Sequence, residues 1–159
     1  MAGQEAFLKC LTICHDCTLL NLTEKDGSVT QVLTGSSLDE QCLLNQVKKD
    51  NIASFKSCTA KSVHIQIGSD ANILDYDILA INEFSSERKL MSVIVKDKST
   101  GQHFCFAKGA ESTIMARLSD ESSSGALKQK IDEEVFRFGS KGLRTLVFAV
   151  REMTQEEIN

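Results

Sequence analysis

The sequence contains no proline, no long apolar run and no excess of positive charge. Without proline, glycine has to mark the breaks between helices and strands. A membrane-spanning helix needs roughly 18 consecutive apolar residues, and no stretch of the chain approaches that length. A net charge of −4 offers no basic surface to nucleic acid or anionic lipid, and no secretory signal follows Met1. These absences predict a soluble globular domain, for which 42% apolar and 25% charged residues are ordinary values.

The common signatures of phosphate binding and of hydrolysis are also missing. The chain has neither the G-x-x-x-x-G-K-[ST] phosphate loop nor the G-x-G-x-x-G fingerprint, and it lacks G-x-S-x-G and H-E-x-x-H. Residues 139–142 read G-S-K-G, but the lysine is out of place for a phosphate loop, and Gly142 is interpreted as a helix stop. Any phosphate site must therefore use another device.

Six cysteines without a secretory signal predict free thiols in a reducing compartment. Cys10, Cys14 and Cys17, together with His15, raise the alternative of a zinc site. Their spacing places the three thiols on one helical stripe, where cysteine packs like a small apolar residue. Ligands along one straight helix cannot by themselves surround zinc tetrahedrally. We therefore predict a buried stripe and no metal site, and a zinc-binding module stays as an alternative.

Hydrophobic periodicity predicts an α+β domain in which helices flank an antiparallel β-sheet. Residues 37–40 read S-L-D-E, which has the S-x-x-E form of a capping box and predicts the start of a helix. Short turns between consecutive alternating segments indicate antiparallel pairing. The predicted order is a helix at about 4–17, a hairpin turning at Asp26–Gly27 into 29–33, a helix after Ser37, strands from about residue 54 that include 63–67, 73–81, 91–95 and 104–106, helices at 111–118 and 127–138, and a buried strand at 143–150.

Three segments carry a family resemblance. Residues 84–93 read F-S-S-E-R-K-L-M-S-V and resemble the F-[SN]-S-x-R-K-x-M-S-V run of the nucleotide-binding (N) domains of P-type ATPases. Residues 108–111, K-G-A-E, resemble the K-G-A motif of those domains. Residues 142–151 begin with G-L-R-T-L and end with A-V-R, as does the last strand of an N domain. Together with S-L-D-E upstream, the resemblance covers nearly the whole chain.

Within that family the chain most resembles the phospholipid-translocating branch, the flippases. That branch typically has S-P-D-E at the position of residues 37–40 and K-G-A-[DE] at the position of residues 108–111. Residues 11–15, L-T-I-C-H, also resemble its L-x-x-C-H helix. Leu38 and Leu90 depart from the usual proline and basic residue of the branch. The N domain of a cation-transporting pump is the alternative within the family, and an interaction module with a degenerate nucleotide pocket is the alternative outside it.

The resemblance implies one N domain, residues 1–159, excised from a larger membrane pump. Such a domain binds ATP and faces the phosphorylation and actuator domains of the pump, with Mg²⁺ bound in the parent enzyme. We expect a cytoplasmic domain of an integral membrane protein that makes no direct membrane contact, binds no nucleic acid and is monomeric as a fragment. Alone it should bind ATP weakly, at roughly 0.1 mM to several mM.

The fragment should not hydrolyse ATP. P-type pumps transfer the γ-phosphate to the aspartate of a D-K-T-G-T motif, which this chain lacks. Residues 97–101 read D-K-S-T-G, where the order is wrong and the surrounding alternation predicts a hairpin turn. Phosphoryl transfer depends largely on positioning and charge stabilisation, so this chain is expected to supply only the positioning of ATP and no catalytic residue.

The resemblance also implies which residues contact the base. Phe84 would stack on adenine, although core packing is an alternative for an aromatic residue that ends an apolar strand. Glu40 would accept a hydrogen bond from the adenine amino group, although the capping box alone explains a glutamate there. Asp39 would line the same mouth, Met91 would pack beside the purine, and Ser86 would supply a polar contact.

The cations of the motifs are expected to contact the rest of the nucleotide. Lys89 and Lys108 match the adenine and triphosphate contacts of the family, and a polyanionic ligand would give two lysines a reason to converge. Gly109 would let the backbone approach the ligand closely. Arg144 matches a phosphate-binding arginine, whose fork suits phosphate oxygens. The alternative for each cation is a solvated surface, and Arg88 is assigned a structural ion-pair role.

Overall fold

The computed structural model describes residues 3–69, 72–119 and 125–158. Within these ranges the chain forms helices and strands in the predicted order. The helices are α1 (Gly3–Ile13), α2 (Leu38–Lys49), α3 (Glu111–Met115) and α4 (Ala126–Gly139). The strands are β1 (Thr18–Thr23), β2 (Val29–Thr34), β3 (Ala53–Cys58), β4 (Ser62–Ile67), β5 (Ile73–Ser85), β6 (Leu90–Asp97), β7 (His103–Gly109) and β8 (Val147–Met153). No helix in the described ranges is long and apolar enough to cross a bilayer.

Strands β3 to β8 pair in sequence order as one antiparallel sheet, which confirms the predicted α+β class. Because consecutive strands run in opposite directions, the end of β5, the start of β6 and the end of β7 meet at the same end of the sheet. The register places Met91 opposite Lys108, and Lys108 opposite Phe148 of β8. Directly opposite residues project from the same face, so these three side chains form one row.

Helices α1 and α2 pack against one face of this sheet. Alternate residues of β6 and β7, such as Val93 and Phe106, project from that face into the core. Cys10, Cys14 and Cys17 belong to the same core and are almost completely buried. The predicted packing role of the three cysteines is therefore confirmed.

Strands β1 and β2 form a separate two-stranded sheet that turns where the sequence predicts. Gly27 adopts a φ of 84°, which glycine tolerates without steric cost, and the Ser28 amide donates to the Asp26 carboxylate at 2.9 Å. Leu19 and Leu33 pack against the core. A two-stranded hairpin is marginal by itself in water, so this contact with the core anchors it.

The first helix is shorter than predicted and ends at Ile13 rather than near residue 17. Side chains capture the amide groups that follow it. The Asp16 amide donates to the Glu40 carboxylate at 2.9 Å, and the Cys17 amide donates to Nδ1 of His15 at 3.1 Å. An amide that donates to a side chain does not extend the helical hydrogen-bond ladder. A glutamate far away in the sequence thus helps to end α1.

The strand predicted at 143–150 is present, but its predicted start and its predicted burial are wrong. The strand begins at Val147, and in the described sheet β8 is the edge strand beside β7, with its residues half-buried or exposed. Helix α4 likewise buries no residue, and its apolar stripe faces a groove of about 780 Å³ that Leu146 and Phe148 also line. An apolar run fits either a buried strand or a segment beside a groove, so the pattern could not separate them.

Gly109 ends β7 where this strand approaches the start of β6. A Cβ atom at Gly109 would lie 2.4 Å from the Lys89 carbonyl oxygen and 3.2 Å from the Leu90 Cα atom. These neighbours are backbone atoms, which cannot rotate away. The Ala110 amide donates to the same Lys89 carbonyl at 3.1 Å, which holds the two segments together. Close packing of the chain therefore explains this glycine without any ligand.

Substitution Gly109→Ala is expected to lower the free energy of unfolding by about 2 kcal/mol or more, because the added methyl group overlaps backbone atoms. Equilibrium unfolding in urea measures the difference. Gly139→Ala is the matched control, since nothing lies within 4 Å of its added methyl group and alanine favours a helix. Equal stability of the two variants would contradict the close approach.

Candidate functional site

A cleft of about 610 Å³ opens at the end of the sheet where β5 ends, β6 begins and β7 ends. The first turn of α2 forms one wall, and residues 144–146, which lead into β8, form another. We call this space the central cleft. Its volume lies in the range of clefts that hold small molecules and cofactors. Antiparallel pairing brings these strand ends together. Strand β6 starts where β5 ends, and β7 returns to that same end of the sheet.

The central cleft collects eight of the nine residues that the resemblance singles out. The ninth, Ser86, lies in the turn between β5 and β6 and does not line the cleft. The eight residues come from four separate segments of the chain. They are Asp39, Glu40, Phe84, Lys89, Met91, Lys108, Gly109 and Arg144.

Other polar residues line the cleft and were missed by the sequence analysis. Asp16 follows the L-T-I-C-H segment, and Ser36 and Ser37 precede α2. Glu83 precedes Phe84, and Thr145 follows Arg144 within G-L-R-T-L. Each is adjacent in sequence to a motif or a predicted residue. Ser37 and Thr145 lie within motifs, and extending the motifs by one residue reaches the other three.

Phe84 and Met91 form the apolar part of the lining and differ sharply in exposure. The Phe84 ring is 61% exposed near the end of β5, whereas Met91 is 3% exposed in the row on β6. The core-packing alternative for Phe84 does not describe a ring this exposed. An exposed aromatic ring beside a cleft offers a flat apolar surface to a ligand.

Glu40 and Lys108 form an ion pair in the floor of the cleft. Their side chains are only 11% and 7% exposed, and the Lys108 ammonium contacts Oε1 of Glu40. The other carboxylate oxygen accepts the Asp16 amide at 2.9 Å. Ser37 caps α2 and accepts the Glu40 amide at 3.4 Å, so half of the predicted capping box is present. The Glu40 side chain itself turns to Lys108 and Asp16 instead of completing the box.

Lys89 and Arg144 lie nearer to solvent than Lys108 does. The Arg144 side chain is 85% exposed, and its guanidinium contacts the Asp39 carboxylate at 3.1 Å. Lys89 makes no ion pair with any described residue, and its φ of 52° lies in the left-handed region. The Lys89 amide donates to the Ser85 carbonyl at 2.7 Å, which closes the turn that holds this conformation.

The sequence analysis explains the convergence of Lys89 and Lys108 by a polyanionic ligand, and this explanation needs correction. Three cationic and four acidic side chains line the cleft. Lys108 is neutralised by Glu40 and Arg144 by Asp39, so these cations do not need a ligand to offset mutual repulsion. Arg88 makes no ion pair among the described residues either and instead donates to the Glu83 carbonyl at 3.4 Å.

His15 lies behind the floor of the cleft and is held in its neutral form. Its Nδ1 accepts the Cys17 amide, so Nε2 carries the proton and donates to the Thr12 carbonyl at 2.9 Å. Burial, reinforced by the nearby Lys108 ammonium, lowers the pKa of His15 to about 4. The ring also meets Phe55 edge to face, with centroids 4.5 Å apart. His15 thus supports the floor rather than carrying charge into the cleft.

The cysteines of the alternative zinc site do not converge. The Cys10 thiol donates to a β7 carbonyl at 3.5 Å and the Cys14 thiol to a β6 carbonyl at 3.6 Å. Cys17 lies beside Asp16 and Glu40, and ligand atoms of these three residues fall within 4.8 Å of one another. Burial raises the pKa of the Cys17 thiol to about 11, and a protonated thiol is a poor metal ligand.

Residues 97–101 form the β6–β7 turn, at the opposite end of β6 from the cleft and about 20 Å away along the strand. The Asp97 carboxylate accepts the Ser99 amide at 2.8 Å, the Ser99 hydroxyl at 2.6 Å and the Thr100 amide at 3.3 Å. Burial alone would raise the pKa of Asp97, but these hydrogen bonds outweigh it and lower the pKa. One oxygen of this carboxylate therefore holds the turn.

Comparison with known proteins adds independent information about this arrangement. Residues 3–159 match the family described as P-type ATPase, cytoplasmic domain N. The chain is 31% identical to the phospholipid-transporting ATPase tat-1 of Caenorhabditis elegans over 94% of its length, which is 12% of that protein. It is 32% identical to phospholipid-transporting ATPase 2 of Arabidopsis thaliana over 95% of its length and 13% of that protein. It is 31% identical to phospholipid-transporting ATPase IH of Homo sapiens over 97% of its length and 14% of that protein.

The stability of the domain should fall as the pH drops below 7, because the unfolded chain protonates His15 near its ordinary pKa of 6.5 while the folded chain excludes that proton down to about pH 4. Between pH 7 and pH 5 the wild type is expected to lose about 2 kcal/mol more unfolding free energy than His15→Gln does. Urea unfolding at both pH values measures this. If the wild type and His15→Gln lost the same unfolding free energy, His15 would not be the cause of the pH dependence.

Proposed function

Because this chain belongs to the cytoplasmic N domains of P-type ATPases, we propose that it binds ATP in the central cleft and presents the γ-phosphate to the phosphorylation domain of a parent pump. The observation that carries the proposal is the convergence of Phe84, Lys89, Lys108 and Arg144 on one cleft. These four residues lie far apart in the sequence. A ligand with a flat base and several negative charges matches their combined chemistry.

Phe84 supports the placement of the base. Its exposed ring lines the cleft together with buried Met91, so a purine could lie between an aromatic plate and a polarisable wall. Base–aromatic stacking contributes about 1–3 kcal/mol per base. Asp39, Glu40 and Ser86 complete the proposed surroundings of the nucleoside, with Ser86 reaching it only if its turn moves.

The exposed cations support the placement of the phosphates. The pair between Arg144 and Asp39 is largely exposed to water, and such pairs contribute only about 0–1 kcal/mol. A phosphate could therefore draw Arg144 away from Asp39 at little cost, and the guanidinium fork suits two phosphate oxygens. Lys89 needs no release from any described carboxylate. Gly109 lines the cleft beside Lys108, although the close approach of the Lys89 carbonyl already explains its lack of a side chain.

In the proposed pump, phosphoryl transfer takes place on other domains. The chain has no D-K-T-G-T segment, and residues 97–101, which contain similar residues in another order, form the β6–β7 turn. We propose that the phosphorylation domain of the pump supplies the acceptor aspartate and binds Mg²⁺, and that the actuator domain acts on the same assembly. The N domain would contribute orientation, which accounts for a large part of phosphoryl-transfer catalysis.

We further propose that the parent is a phospholipid-transporting ATPase, so that this chain is the cytoplasmic domain of an integral membrane protein. The support is that the relatives described above carry that name and that residues 37–40 and 108–111 resemble the flippase motifs. This chain corresponds to only 12% to 14% of those relatives. Finding D-K-T-G-T upstream of Met1 in the same gene would test for a P-type parent, and stimulation of ATP hydrolysis in that full-length protein by phospholipid rather than by a cation would test the branch.

The ATP site is tested by titrating the chain with ATP while recording backbone amide NMR shifts. We expect saturable changes near Phe84, Lys89, Lys108 and Arg144 at roughly millimolar ATP. Phe84→Ala should weaken binding about 5- to 100-fold by removing the stacking surface. The matched control is Phe136→Ala, which removes an exposed ring from α4 and should leave binding unchanged. Unchanged amide shifts at millimolar ATP would favour the alternative of an interaction module with a degenerate nucleotide pocket.

Lys89 allows binding and stability to be separated. Lys89→Gly removes the ammonium but suits the left-handed backbone, so ATP affinity should fall about tenfold while the free energy of unfolding does not fall. Asn51→Gly is the matched control, since Asn51 has a φ of 54° and does not line the cleft. ATP titration and urea unfolding measure both quantities. A Lys89→Gly variant that binds ATP like the wild type would remove Lys89 from the site.

A further inference from the structure

The groove of about 780 Å³ between helix α4 and strand β8 offers an uncovered apolar surface. We call it the α4 groove. One helical face of α4 lines it with Leu127, Ile131, Val135 and Phe138. Residues 146–148 of the β8 segment line it as well. No residue of α4 is buried within the described part of the chain, so this face has no covering partner there. Apolar surface left open in this way commonly marks a binding site.

One positive charge at the α4 groove is left uncompensated. Four charged side chains are found among the described residues that line it. Asp39 pairs with Arg144, and Glu134 pairs with Arg137. Lys130 makes no ion pair with any residue that the structure describes. The groove therefore complements a ligand with a single negative charge, whereas a dianion would also meet the two carboxylates.

The size of the α4 groove favours a small flexible molecule over a protein helix. A helix is about 10–12 Å across, so each turn fills on the order of 400–600 Å³ and the groove holds fewer than two turns. A methylene group is about as large as a water molecule, whose share of the liquid is about 30 Å³. An alkyl chain of roughly ten to sixteen carbons then needs on the order of 300–500 Å³, which this groove provides.

We propose that the α4 groove binds the anion of a fatty acid, with the alkyl chain along the apolar face of α4 and the carboxylate beside the Lys130 ammonium. Burial of the chain supplies most of the affinity. The exposed contact with Lys130 contributes less and sets the direction in which the chain lies. Although Asp39 and Arg144 line both this groove and the central cleft, the site does not depend on ATP binding.

Octanoate, decanoate and dodecanoate, each below its critical micelle concentration, test the apolar part of the site. In a titration followed by backbone amide NMR, shifts should change at 127–138 and 146–148. The affinity should rise about 2- to 4-fold with each added methylene. Ile131→Asn should weaken all three ligands, whereas Phe136→Ala removes an exposed ring outside the groove and should weaken none. Affinity that did not depend on chain length, or unchanged shifts at the groove, would overturn the proposal.

The headgroup is tested by comparing decanoate with decyltrimethylammonium, which has a chain of similar length and the opposite charge. Decanoate should bind the wild type about 3- to 10-fold more tightly. Lys130→Glu should reverse this preference. Lys128→Glu is the matched control, since it changes the net charge equally but lies outside the groove, and it should keep the preference for decanoate. Equal binding of the two ligands by the wild type, or a reversal in both variants, would refute the role of Lys130.

Two further measurements separate a fatty acid from other occupants. Decyl phosphate is a dianion with the same chain, and tighter binding of it than of decanoate would contradict a site for a monoanion. Sedimentation of the wild type should show a monomer. A dimer that Ile131→Asn abolishes would show instead that a second copy of the chain covers the groove. Urea unfolding checks that each variant folds, and if one does not, the comparison of ligands on the wild type still decides.

Discussion

The register of the β6, β7 and β8 strands is the constraint on which the rest of the site depends. It places Met91, Lys108 and Phe148 side by side on the face that the helices cover. A slip of one residue in this pairing would turn Lys108 to the other face of the sheet. Glu40 would then lose its partner, and the cleft would lose its floor. The close approach at Gly109, which admits no side chain, helps to hold β7 against the start of β6 in this register.

The second helix is attached to the sheet by one buried apolar residue and one buried charge. Glu40 and Leu44 are its only buried residues, and α2 lies within the described part of the chain throughout. Leu44 joins the hydrophobic core, and Glu40 adds a polar attachment through its contacts with Lys108 and with the Asp16 amide. Buried ion pairs are often no more stabilising than apolar residues of the same size. A buried pair at the floor of a cleft is more readily understood as a device that places a charge.

Features of the fold that depend on neighbouring residues can be predicted from the sequence, whereas features that depend on distant residues cannot. The hairpin at Asp26–Gly27 and the order of the strands follow from turn residues and alternation, which act over a few positions. The end of α1 depends on Glu40, and no pattern within residues 4–17 contains that information. The motifs named the residues of the cleft, but the partner of Lys108 lies 68 positions away and appears only in three dimensions.

The pairing of charges in the cleft has a consequence for affinity. A cation that already contacts a carboxylate gains from a phosphate only the difference between the two interactions, as Arg144 would on leaving Asp39. The acidic side chains thus keep the empty cleft free of strong repulsion but reduce the net gain from ATP. If ATP binds in this cleft as we propose, this balance predicts weak binding by the isolated domain. A partner domain that excludes water and adds its own contacts to the phosphates would strengthen the proposed interaction, which agrees with a domain that orients ATP for its partner.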